Sequence, residues 1–401
     1  MRSRKELTKA IAKRYIKADR NGKNAILTEL CASTGYNRDY AATLLRGKAK
    51  TIPSAQVTTR KIIKRPGRTP KYNAETVRIL TKVWMMFDRL CGKRLTVLIK
   101  TLLPTLKMNP FLGVTPEQET LLAGISRSTI DRLLRPIHKK YQIHGHCYTR
   151  PSHSLKDSIP VRTFGEWQSC PPGFCQIDTV GHDGGFLAEE CSFSLCLTDL
   201  SSGWTERYAM QNRAFKWVHQ GLEAMKISVP FPLLHLHPDN GSEFINHGLV
   251  SWCAAQEPKI ELSRSRAGKK NDNCYVEQKN FDTIRKLVGY ARYSTQEMLE
   301  TLNELYRVHG LLLNFFYPSQ KLVSKHRVGS KVRKRYDSPQ SPAYRLLINP
   351  EVSGDIKATI RARMASLDPL GLSNQVDALS SLLFGMLVKD DPSMVQVSGN
   401  P

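Results

Sequence analysis

The strongest constraint on the fold is an aspartate set inside an apolar strand pattern, at residues 173–185, GFCQIDTVGHDGG. Phe174, Ile177 and Val180 have strand composition, and the Gly and Pro residues on either side mark the strand's limits. A carboxylate on or beside a buried sheet is costly unless something pairs with it. A divalent cation is the usual remedy, and one carboxylate rarely holds one alone. Asp178 therefore calls for further acids from elsewhere in the chain.

Two others have the right setting. Asp239, in LLHLHPDNGSEF, follows the apolar run 233–236 at a Pro-Asp-Asn-Gly turn, which places it at a strand's end. Glu277, in KKNDNCYVEQKNF, lies near the start of a helical pattern with Phe281, Ile284 and Val288 at i+4, i+7 and i+11. That spacing predicts a carboxylate at the core-facing edge of the helix. Asp272 is a rival for the third position but falls in the loop pattern before the helix, so Glu277 is preferred. Taken singly, Asp239 reads as a turn residue and Glu277 as a solvated helix face. Together, hard oxygen ligands from strand, strand end and helix suit Mg²⁺ or Mn²⁺ and not zinc.

The order Asp178, Asp239, Glu277, with 37 residues between the last two, resembles the DDE transposases and retroviral integrases of the ribonuclease-H-like superfamily. The spacing is slightly longer than the family's best-known one. HPDNGSEF and KKNDNCYVEQKN are similar to the motifs around the second and third acids in bacterial insertion-sequence transposases. The resemblance covers roughly residues 173–347. It implies an α/β ribonuclease-H-like core, a mixed five-stranded sheet with helices, that cleaves and joins DNA by in-line phosphoryl transfer. It also implies two Mg²⁺ (or Mn²⁺) ions bridged by Asp178, with Asp239 and Glu277 each completing one ion's shell. Asn240, Glu243 and His182 would support the ligands, although each also reads as an ordinary turn or surface residue. The expected partners are terminal inverted repeats and target DNA, held by a homodimer or larger assembly. Two other functions stay open: a non-catalytic DNA-binding regulator, and a nuclease of the same fold without joining activity.

Charge points the same way. Lys and Arg number 60 against 35 Asp and Glu, a net charge of +25, and the pI is about 9.8. Such an imbalance implies a polyanionic partner. With no apolar run long enough to span a membrane and no signal-peptide pattern, double-stranded DNA is expected over a membrane surface. A cytoplasmic, nucleoid-associated bacterial protein is the matching location. The nine cysteines are scattered without a Cys-x-x-Cys pair, which argues against a disulfide framework or zinc knuckle. His144-Gly-His146-Cys147 has no partner pair elsewhere and reads as linker.

Along the chain, the patterns predict a multidomain protein. Residues 1–50 read as a helix-turn-helix module, with Leu7, Ile11 and Tyr15 on one stripe. Asn37 caps its last helix, Ala41, Leu44 and Leu45 face inward, and Arg38, Tyr40 and Arg46 reach outward. Residues 51–73 form a basic linker in which Lys64, Arg65 and Arg68 could track phosphates. Residues 74–141 read as a second helical, helix-turn-helix-like module presenting Arg127 and Arg132, with Pro136 kinking or ending the last helix. A linker, 142–172, leads to the catalytic core, 173–313, read as three antiparallel strands, helix, strand, helix, strand, helix. Arg264, Arg266, Lys269 and Lys270 make a basic loop before the Glu277 helix, and Lys279 follows on it. Residues 314–350 mix Phe315, Phe316 and Tyr317 with Arg333, Lys334 and Arg335, a composition that suits DNA backbone and splayed bases. The other reading packs the aromatics on the core. Residues 351–401 carry two weak helical patterns and no assigned role.

Overall fold

The computed structural model describes residues 2–49, 71–138, 141, 170–185, 191–239, 241, 243–265, 274–328 and 331–390. They fall in two compact units, Met1–Thr69 and Pro70–Pro401. The first holds α1 (Arg2–Lys17), α2 (Arg20–Thr34) and α3 (Arg38–Ala49). Asp19 caps α2 by accepting from the Gly22 amide at 2.8 Å, and Asn37 caps α3 by accepting from the Asp39 amide at 2.9 Å. Between them Gly35 turns the chain at φ 71°, a left-handed conformation that favours glycine. The core of the unit comprises Ile11, Ala12, Tyr15, Ile26, Leu27, Leu30, Ala41, Ala42 and Leu45. Three expectations shift. Thr8 takes the buried place expected of Leu7, because the stripe runs 8, 11, 12, 15. Leu44 is half-buried. Arg38 is tied back onto α2, donating to Thr28 Oγ1 at 2.9 Å and to the Asn24 carbonyl at 3.2 Å.

The second unit opens with α4 (Ala74–Met86), α5 (Gly92–Met108), α6 (Pro116–Ala123) and α7 (Arg127–His138). Asn73 caps α4, and Thr115 with Gln118 forms a capping box on α6. Ser126 caps α7, accepting from the Thr129 amide at 3.3 Å. The Gly92 amide donates to Asp131 at 2.7 Å, and a Cβ at Gly92 would stand 2.4 Å from the Arg127 carbonyl. Glycine is what lets α5 start so close to α7. Pro136 lies inside α7, which runs on to His138. Its missing N–H falls on an exposed last turn, where water can take the freed carbonyl.

The sheet follows in the expected order. Strands β1 (Phe174–Gly181), β2 (Phe193–Asp199) and β3 (Thr205–Met210) form an antiparallel meander. Then come α8 (Phe215–Ser228), β4 (His235–Pro238), α9 (His247–Ala254) and β5 (Glu261–Leu262). Strand β4 pairs parallel to β1, and β5 parallel to β4, giving the order β3-β2-β1-β4-β5. This is the mixed sheet expected of a ribonuclease-H-like core. Residue alternation splits it into two faces. Cys175, Ile177, Leu195 and Leu197 pack with Val218, Leu222, Leu249 and Trp252 of α8 and α9. Val180, Cys196 and Ala209 share a second core that takes in α4–α7. The second helical block therefore packs into the same hydrophobic core as the sheet.

Beyond the sheet lie α10 (Cys274–Lys279), a π turn (Asn280–Arg285) and α11 (Lys286–Val288). Helix α12 (Gln296–Leu311) ends in a second π turn, Leu312–Phe316. An antiparallel hairpin of β6 (Leu322–Val328) and β7 (Lys331–Tyr336) comes next, an element the sequence patterns missed. Then follow α13 (Pro342–Ile348), α14 (Gly354–Ser366) and α15 (Pro369–Asp390). Phe315 and Tyr317 are buried, at 5% and 2% exposure, because the π turn folds them into the core. Of the two readings of these aromatics, packing on the core is the one observed for both. The two weak helical patterns near the C-terminus are α14 and α15, and Leu370, Leu372, Val376, Leu383, Met386 and Leu387 of α15 join the core of the unit. Leu383→Ala should therefore cost about 2–5 kcal/mol in urea unfolding. Its exposed neighbour, by Leu382→Ala, should shift stability by less than about 0.5 kcal/mol.

Candidate active site

The pairing register brings the first two acids together. Strands β1 and β4 run in parallel with Ile177 opposite Pro238 as the last paired position. Asp178, still within β1, and Asp239, just past the end of β4, therefore follow on adjacent strands at the next step. Neighbouring strands stand about 4.8 Å apart. Asp239 Oδ1 accepts from the Gly241 amide at 2.8 Å, the turn bond expected of Pro-Asp-Asn-Gly.

Glu277 is brought in by two attachments of α10 to β1. Gln176, fully buried, accepts at Oε1 from the Tyr275 amide at 3.1 Å and the Val276 amide at 3.3 Å. It caps these amides from outside the helix. Two residues on, on the same strand face, Asp178 Oδ2 accepts from Asn280 Nδ2 at 2.7 Å. The spacings match: two strand residues rise about 6.6 Å and four helical residues about 6 Å. Glu277 stands between these two points on the exposed side. The buried stripe is Val276, Asn280, Ile284 and Val288, so Glu277 lies beside it. Phe281 is 46% exposed, contrary to its expected place in the core. The π turn is the cause, since its wider winding keeps residues four apart in line.

Electrostatics register the convergence. Burial, then the charge of Asp239, then those of Glu277 and Glu243, push the Asp178 carboxyl up to about 8, against the bond from the Thr179 amide. Glu243 is buried; its Oε1 accepts from Thr179 Oγ1 at 2.9 Å and lies 3.5 Å from Arg213 Nη1. Its Oε2 is buried with no hydrogen-bond partner in the structure. That oxygen and Asp239 Oδ1 both crowd the space over the Gly241 Cα, at 2.6 and 2.9 Å from where a Cβ would stand. An orphaned carboxylate oxygen among oxygen-only donors fits a hard divalent cation. Among the described residues no three His, Cys, Asp or Glu side chains already stand in metal-binding geometry.

The other sequence-predicted residues divide. His182 is corrected: it lies four strand residues, about 13 Å, beyond Asp178. It is buried, bonded through Nε2 to Ser194 Oγ at 2.7 Å, and packed edge-on against Tyr293. Burial, with the nearby Arg285 charge, takes it down to about 3 and keeps it neutral. Lys279 turns to a cavity on the far side of α10, and burial followed by the Arg94 charge lowers it to about 8. Arg46, Arg127, Arg132, Arg333, Lys334 and Arg335 are exposed, and Arg264 is half-buried. Asn240, Lys64, Arg65, Arg68, Arg266, Lys269 and Lys270 lie outside the described residues. Sequence reasoning missed Gln176 and Asn280. The available signal was the two-residue step from Gln176 to Asp178 within an otherwise apolar strand.

Because Asp178 titrates near 8, its proton must leave before a cation can bind. The rise in Tm caused by Mg²⁺ should therefore grow between about pH 6 and about pH 8.5, and vanish in Asp178→Asn. In metal-free protein the raised carboxyl contributes stability below the ordinary carboxylate range and loses it as pH rises towards 8. Unfolding at a series of pH values should show wild type falling relative to Asp178→Asn over that window. Gln176→Leu, which removes the side-chain acceptor shared by two helix amides, should cost about 1–3 kcal/mol in urea unfolding.

No family model matches the chain. Among solved structures, it is similar to the catalytic core domain of HTLV-2 integrase in complex with magnesium, in its dimeric form. The identity is 16%, over 37% of this chain and 90% of that one, with a TM-score of 0.28. It is also similar to the catalytic core domain of BIV integrase, at 20% identity over 35% of this chain and 83% of that one, with a TM-score of 0.27. Likenesses this distant leave the assignment of the site to the chain's own register and side chains. A far nearer relative is the uncharacterized protein y4rM of Sinorhizobium fredii. It is 37% identical over 345 residues, which span 86% of this chain and 95% of the relative. At that identity and coverage the chain belongs to the family of y4rM.

Proposed function

We propose that this protein is a transposase that cleaves and joins DNA at the ends of a mobile element. The observation that carries the reading is the raised carboxyl of Asp178, on which Asp239, Glu277 and Glu243 all act from other elements of the fold. Four acids so placed in a chain of net charge +25 call for a cation. The likeness of HPDNGSEF and KKNDNCYVEQKN to insertion-sequence motifs supports the same reading.

In this mechanism Asp178, Asp239 and Glu277 would be the metal-holding residues. Two Mg²⁺ or Mn²⁺ ions, when bound, supply charge neutralisation at the scissile phosphate and a more acidic attacking water or 3′-hydroxyl. Asn280 orients Asp178 by holding Oδ2, and Gln176 holds the first turn of α10 so that Glu277 faces the strand ends. Glu243 offers its unpaired Oε2 beside Asp239. The duplex would be held by the α2–α3 hairpin through Arg46, by α7 through Arg127 and Arg132, and by the basic segments, Arg264 and the β7 cations among them. The protein acts as a dimer or larger assembly on paired DNA ends, in the bacterial cytoplasm. Among the described residues no helix is long and apolar enough to cross a membrane.

The test uses DNA carrying the inverted repeats that flank the coding region. Wild type with Mg²⁺ should cut these ends, and should join pre-cut ends bearing a free 3′-hydroxyl. Asp178→Asn should bind the same DNA without either reaction, and Glu243→Gln should lose about 10–100-fold in metal affinity. Cutting without joining would make the protein a nuclease, and strand transfer unchanged in Asp178→Asn would remove this site from the reaction.

A further inference from the structure

A second site lies behind the acids. The face of α10 turned away from Asp178 borders a cavity of about 780 Å³, closed by the turn between α4 and α5, the end of β2 and the root of the β6–β7 hairpin. Its lining holds more bases than acids. Each acid is already engaged: Asp88 with His309, Asp199 with Ser202 and the Gly173 amide, and Asp282 with Lys286 at 2.5 Å. Lys286 apart, the bases are held by carbonyls. Arg94 donates to the Pro318 carbonyl at 2.5 Å, Lys321 to the Ser201 carbonyl at 2.6 Å, and Arg89 to the Lys286 carbonyl at 3.3 Å. Asp88 acts on Arg89 and Asp199 on Lys321, and the surplus of bases over acids leaves the lining net positive. The result is a preorganised cationic chamber.

Two tyrosines complete it. Tyr275 on α10 is half-buried, and Tyr336 on β7 is 43% exposed. The hairpin that carries Tyr336 is rigid at its root, where Asp337 accepts from the Lys321 amide at 2.7 Å and pairs with Arg345 at 2.5 Å. Fixed cations with aromatic faces are what an unpaired nucleic-acid strand binds, phosphate on charge and base on ring. Size decides the ligand further. Pockets for single small ligands run about 300–1,000 Å³, whereas the major groove of a duplex is already about 12 Å wide. One or two unpaired nucleotides fit; a duplex does not.

We infer that this chamber seats the unpaired nucleotides at the end of a DNA strand, beside the helix that carries Glu277. The ligand chemistry is a phosphate-bearing nucleotide, and its source is an overhang of the bound DNA. This inference rests on the reading of the protein as a DNA-cleaving and DNA-joining enzyme, but its test needs no catalysis.

Fluorescence anisotropy in EDTA, with the full chain, would compare a blunt duplex with the same duplex bearing a two-nucleotide overhang of either polarity. The overhang should tighten binding about tenfold, the scale of a stacked base. Tyr336→Ala should abolish that gain and leave blunt binding unchanged. Arg94→Gln should act in the same direction, and it serves if the hairpin variant fails to fold. Free dAMP should compete only weakly. The inference is overturned if the overhang gives no advantage, if the variants weaken blunt and overhung DNA equally, or if dAMP alone binds more tightly than the overhang. Failure to bind any DNA would overturn the proposed function as well, whereas normal duplex binding with no overhang effect would remove the chamber alone.

Discussion

The site depends on one helix being fastened to one strand at two points. Gln176 grips the opening amides of α10, and Asp178 accepts from Asn280 one turn further along. Both strand residues lie on the same face because strand side chains alternate, and both helix positions match them in rise. Neither bond is strong alone, since a typical hydrogen bond contributes about 1 kcal/mol net. Their effect is geometric. With the axis and depth of α10 fixed, Glu277 has little freedom to leave the neighbourhood of the strand ends. The acids on β1 and after β4 need no such device, because the sheet register already sets them side by side.

Behind this face, a buried polar chain holds the larger body together. Arg207 on β3 donates to the Thr283 carbonyl at 2.7 Å, to the Tyr306 carbonyl at 3.1 Å and to His309 Nδ1 at 2.8 Å. Arginine can only donate, so His309 must accept at Nδ1 and donate from its Nε2–H to Asp88, just past the end of α4. The guanidinium thus joins strand, π turn, α12 and the second helical block in one network. Removing a member would leave a buried polar group unsatisfied. This network and the continuous core explain why α4–α7 do not pack as a separate body.

Much of this was legible in the chain. The meander, the helix cap at Asn37 and the strand-end setting of Asp239 are local signals, and the structure carries them. The placing of Glu277 near Asp178 was legible only through motif resemblance, because no local pattern encodes a contact across about a hundred residues of chain. The misses have physical causes. The hairpin carries polar and basic residues on both sides, so the apolar alternation that reveals a half-buried strand is absent. Helix α15 looked weak because only part of its surface is apolar, and its partner α12 lies far away in sequence. His182 and Phe281 were misplaced by ideal geometry, the first by ignoring how far a strand carries four residues, the second by assuming an unbroken α-helix.

That break in the helix has a consequence for how the protein can change. The π turn between Asn280 and Arg285 holds, in effect, one surplus residue. Each residue of an α-helix turns it by about 100°, and the wider turn absorbs that rotation, so Val276 and Ile284 share one buried stripe. Losing a single residue there would restore regular winding and leave Val288 facing the core, with Glu277 upstream unmoved. The same loss elsewhere in the helix would rotate everything downstream of it by about 100° off the core.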